Sequence, residues 1–62
     1  MYIVQIVKDY SATTVATSND LEIAKSMGMN VHNELAQEFP HKKDRDYIIT
    51  VRGNGISLDL VE

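Results

Sequence analysis

The chain predicts an α+β domain: a four-stranded antiparallel sheet with one helix packed on one face, in the order β-β-α-β-β. Three observations carry that expectation. The chain opens on YIVQIVK, a β-branched apolar run. It closes on two alternating apolar runs joined by Asn54-Gly55, a strong short hairpin signal. Between them lies one long segment of helical periodicity that stops at Phe39-Pro40.

The first strand is expected over residues 2–8. Asp9, Tyr10 and Ser11 then form a turn, and ATTVATS supplies a second short strand rich in Thr and Val. The two make an N-terminal hairpin whose register the pattern leaves open, because both faces of these strands are apolar or small.

SNDLE follows. Asn19 is the expected N-cap, with Glu22 three residues on as a capping-box variant and Asp20 adding negative charge to the first turn. The helix ends at Phe39, because the residue before a proline is pushed out of helical geometry. At about 100° per residue, Leu21, Ala24, Gly28, Val31, Leu35 and Phe39 form its buried stripe. Gly28 sits at the centre of that stripe, one turn beyond Ala24. Glycine in a helix costs about 1 kcal/mol relative to alanine, so its expected role is a close approach of the helix backbone to the sheet. Ile23 points away from the stripe and stands beside Met27, an apolar pair on the helix flank.

The closing hairpin has a register implied by its turn. A two-residue type I′ turn at Asn54-Gly55 pairs Gly53 with Ile56, Val51 with Leu58 and Ile49 with Leu60. Tyr47, Ile49, Val51, Ile56, Leu58 and Leu60 then share the helix-facing side with Val4 and Ile6. The opposite face takes Ile3, Gln5, Val7, Ala12, Thr14, Ala16, Ile48, Thr50, Arg52, Asp59 and Val61. A solvated face normally reads as polar alternation. Here Ile3, Val7, Ile48 and Val61 are expected to make an apolar patch, and such patches mark interaction surfaces.

The 62 residues make a single domain, 1–62, of a size that buries only about 60% of the surface its unfolded chain exposes. Such domains usually need a disulfide, a metal or a partner chain. The absence of cysteine removes the first and any thiolate metal site, which leaves oligomerisation. With no basic leader before the first strand and no long apolar run, a cytoplasmic location is expected.

Catalytic patterns are missing. GNG is a hairpin turn with no helix after it, so it is not a phosphate loop. Serines 11, 18, 26 and 57 have no adjacent His and acid pattern, and His32 and His41 have no carboxylate constellation. No enzyme activity, cofactor or metal site is expected. The chain reads instead as a protein-binding module, an inhibitor or regulator of another protein that acts as a homodimer. Its expected partner-binding residues are Ile3, Val7, Ile48, Val61, Ile23 and Met27. The alternative is a nucleic-acid-binding regulator that uses the basic loop 41–45, with Lys42, Lys43, Arg45 and Arg52 on phosphates. The net charge of −3 and the aspartates inside HKKDRD weigh against it.

Overall fold

The computed structural model describes residues 1–60. Strands β1 (Tyr2–Lys8) and β2 (Ser11–Ser18) form the first hairpin, helix α1 (Leu21–Glu38) follows, and β3 (Ile48–Gly53) and β4 (Ile56–Leu60) form the second. A single 3-10 turn, Lys42–Asp44, lies between α1 and β3. The four strands are antiparallel in the order β2-β1-β3-β4, so the first and third strands are neighbours at the centre. The expected fold class is the observed one.

The closing hairpin has the register its turn implies: Gly53 pairs with Ile56, Val51 with Leu58 and Ile49 with Leu60. Asn54 and Gly55 have φ of 50° and 78°, the positive values that a type I′ turn requires.

The opening hairpin carries two features that local patterning does not show. Its turn is Asp9-Tyr10, both at positive φ (51° and 66°), with Ser11 already paired to Lys8 in the strand. A tyrosine in this left-handed region is an outlier. The second feature is a β-bulge: Gln5 pairs with Thr14 but Val4 with Ala16, which leaves Val15 as the additional residue in β2. The bulge reverses the facing of everything beyond it. Ala12 and Thr14 stay on the open face, but Ala16 turns inward and packs against the core, and Thr17 takes its place outside. The outer placement expected for Ala16 is therefore corrected.

Asp20, not Asn19, caps α1. Its Oδ1 accepts from the Ile23 backbone N–H at 3.1 Å, while its own N–H donates to Ser18 Oγ at 3.1 Å. The shift of one residue places Glu22 too early for a capping box, and it pairs instead with Lys25 at 3.6 Å on the surface. At the far end the Phe39 N–H donates to Leu35 O at 2.8 Å, and Phe39 itself has left helical geometry before Pro40.

The core is Val4, Ala24, Ile49 and Val51, with Tyr2, Ile6, Ala16, Leu21, Met27, Val31, Leu35, Tyr47 and Leu60 packed around it. Gly28 is buried at the crossing of helix and sheet. A Cβ there would meet Val4 of β1 at 3.5 Å and Ile49 of β3 at 3.4 Å, and would overlap Leu60 of β4. The glycine serves the close approach that its place in the stripe implies.

Candidate interaction surface

α1 covers one face of the sheet and leaves the other open. Strand pairing arranges the open face in three rows. Ala12, Val7 and Ile48 make the first, Thr14, Gln5, Thr50 and Asp59 the second, and Thr17, Ile3, Arg52 and Ser57 the third. Val7 and Ile48 are direct cross-strand partners, and Ile48 is 48% exposed. Val7 and Ile3 are half-buried. Ile3 does not adjoin the other two, because the polar Gln5 row lies between; the single apolar patch expected of Ile3, Val7 and Ile48 is divided in two. Val61 lies outside the described residues.

The middle row holds the face together laterally. Gln5 Nε2 donates to Thr14 Oγ1 at 3.4 Å across β1 and β2. Thr50, only 8% exposed, has a buried hydroxyl without a hydrogen-bond partner, as has the Gln5 carbonyl oxygen beside it. Such groups weaken the monomer, since an unpaired buried polar atom costs about 1–3 kcal/mol.

At the third row the face ends in an open groove of about 510 Å³. Met1, Ile3, Arg52 and Ser57 line it from the open face. Gly53, Gly55 and Ile56 at the β3–β4 turn close its end, with Gly53 packed against the Met1 and Tyr2 backbone and Ile56 on the helix-facing side by its pairing with Gly53. Arg52 is its one ionisable side chain. Among the described residues no group of three His, Cys, Asp or Glu side chains could hold a metal ion.

On the helix flank, Ile23 is 51% exposed whereas Met27 packs against the core. The pair therefore presents mainly Ile23 to solvent, with Met29 (37% exposed) on the other flank. Among the described residues no helix is long and apolar enough to cross a membrane.

The basic residues do not converge. Lys42 and Lys43 sit on the exposed 3-10 turn. Arg45 folds back on the loop, donating from Nε to Phe39 O at 2.8 Å and from a terminal nitrogen to Pro40 O at 3.3 Å. Arg52 belongs to the third row, at the end of β3 remote from that loop. Lys8 is paired with Asp46 at 3.4 Å.

The two edges of the sheet differ. β4 is short and carries Asp59, a common device against edge pairing. β2 is eight residues without a charge or a proline, and its bulge at Val15 is the one irregularity that interrupts it. Comparison with known proteins yields no match: no family model, curated protein or solved structure is significantly similar to this chain.

Proposed function

We propose that this chain is a non-catalytic protein-binding module of the cytoplasm that acts as a homodimer through its open sheet face, as an inhibitor or regulator of another protein. The observation that carries this reading is the composition of the two central strands on that face. Of the six, Ile3, Gln5, Val7, Ile48 and Thr50 carry no charge, and Arg52 is the one charged residue. Open faces of antiparallel sheets are ordinarily polar and charged.

Size supports the same reading. Four core residues are essentially inaccessible, and a domain with so small a core has little stability to spare. Apolar area covered by a partner stabilises by about 25 cal/mol per Å². A closed two-fold is the commonest arrangement of soluble homo-oligomers. The groove supports a binding role over a catalytic one, since its single ionisable side chain has no acid or base opposite it.

Sedimentation equilibrium at micromolar concentration tests the dimer, with Ile48→Lys as the interface variant. A dimer that Ile48→Lys dissociates supports the sheet face. A dimer indifferent to it moves the interface to the β2 edge or the helix flank.

A further inference from the structure

The two hairpin turns of this chain share one geometry and differ in chemistry. Both are two-residue turns with positive φ at each central position. The second uses Asn54-Gly55, the pair that adopts this geometry without strain. The first uses Asp9-Tyr10, which places a bulky aromatic in the left-handed region and leaves it fully exposed, at 109% of its reference area. Neither burial nor turn preference accounts for a tyrosine there. Strained, exposed residues of this kind concentrate at binding sites.

At the opposite end of the sheet is the groove lined on the open face by Met1, Ile3, Arg52 and Ser57, apolar and rimmed by the Arg52 guanidinium. It is large enough for an aromatic side chain. Its chemistry complements the turn: an apolar floor and a guanidinium for the Tyr10 ring, and the same guanidinium for the Asp9 carboxylate. Among the described residues Asp9 and Arg52 make no ion pair. A single molecule cannot close this contact. β1 runs seven residues between the two features, about 20 Å of extended chain.

We infer that the Asp9-Tyr10 turn of one copy docks in the Ile3–Arg52–Ser57 groove of a second copy, twice over in a two-fold dimer. Resting on the homodimer reading above, this names the residues that orient it. With open faces together and the two-fold axis crossing the strands at right angles, the turn end of each sheet lies over the groove end of the other. Tyr10 is then an anchor of the kind that dominates interface energetics. The first and third rows also exchange partners, which brings Ile48 towards the partner's Arg52.

The test is complementation between two weakened variants, followed by sedimentation equilibrium of the full chain. Tyr10→Gly removes the knob and suits the turn, so folding is not at issue. Ile3→Lys blocks the groove from the open face, with the exposed Arg52→Glu as a second groove variant, and circular dichroism checks the fold of both. Each alone is expected to raise the dimer dissociation constant about thirty-fold or more, the range of an interface hot spot. An equimolar mixture of Tyr10→Gly with Ile3→Lys regains part of the affinity, because the mixed dimer keeps one intact knob and groove. Dimers of Tyr10→Gly as tight as wild type, still broken by Ile48→Lys, overturn the docking and leave the sheet-face reading standing. Weakened variants whose mixture recovers nothing also overturn it. A monomeric wild type overturns both.

Discussion

Gly28 of α1 lies so close under Leu60 of β4 that a Cβ at the glycine would overlap the leucine Cδ1. The same spot touches Val4 and Ile49, so three strands meet the helix where it has no side chain. Gly28→Leu is expected to destabilise the fold by about 1–3 kcal/mol through overpacking. Gly28→Ala is expected to be nearly neutral, because about 1 kcal/mol of helix preference offsets a small displacement of the Leu60 tip. Ile23→Ser, on the exposed flank, should change stability by no more than about 0.5 kcal/mol. Thermal melts of the three variants check the order; a Gly28→Leu that melts like wild type contradicts the packing described.

Tyr10 gives a prediction of opposite sign. A left-handed conformation costs a residue with a side chain about 1–2 kcal/mol, and glycine is free of that cost. Tyr10→Gly should therefore stabilise the fold by about 1 kcal/mol, which is several degrees of Tm in a domain this small. The melt is read in dilute solution, where association contributes little. A lower Tm there would show that Tyr10 makes contacts within its own chain.

Much of this architecture is legible in the sequence, and the exceptions have physical causes. Asn54-Gly55 and the alternation around it agree, so turn type, register and facing of the second hairpin follow together. The stripe through Ala24 and Gly28 is equally plain. ATTVATS is different: its residues are small or β-branched on both faces, so a bulge at Val15 shifts the phase without leaving a hydrophobic trace. The cap moved by one residue because Ser18, Asn19 and Asp20 can all accept from a helix N-terminus. The division of the apolar patch was hidden because it depends on which residue of β1 stands beside which of β3, a long-range pairing that turn chemistry does not specify. Asp9 and Tyr10 are legible as a turn, but Asp-Tyr carries no signal for positive φ, so the strained, exposed placement of Tyr10 has no trace in the sequence.

Thr50 tests the middle row of the open face. Its hydroxyl is buried and unpaired, and valine has nearly the same shape. Thr50→Val should stabilise by about 1 kcal/mol, since it removes an unsatisfied group and adds none. Chemical denaturation measures it. A clear loss would mean that the hydroxyl is satisfied in solution, by water or by a partner.

Arg45 separates a structural cation from an available one. Its hydrogen bonds to the Phe39 and Pro40 carbonyls hold the chain as it leaves the helix. Arg45→Ala should cost about 1–2 kcal/mol, whereas Lys43→Ala, fully on the surface, should stay within about 0.5 kcal/mol. The basic groups being dispersed, no binding to a generic DNA duplex is expected even at low salt. A steep salt-dependent affinity, lost on Lys42 and Lys43 substitution, would favour the nucleic-acid alternative instead.

The most direct measurement is the mass of the wild-type chain in solution beside that of Ile48→Lys. Ile48 is 48% exposed on the open face, and Val7 lies directly across from it. A lysine there places a charge in the first row without entering the core. Sedimentation equilibrium at micromolar concentration should give a dimer for wild type and a folded monomer for Ile48→Lys. A wild type that remains monomeric throughout that range contradicts the account.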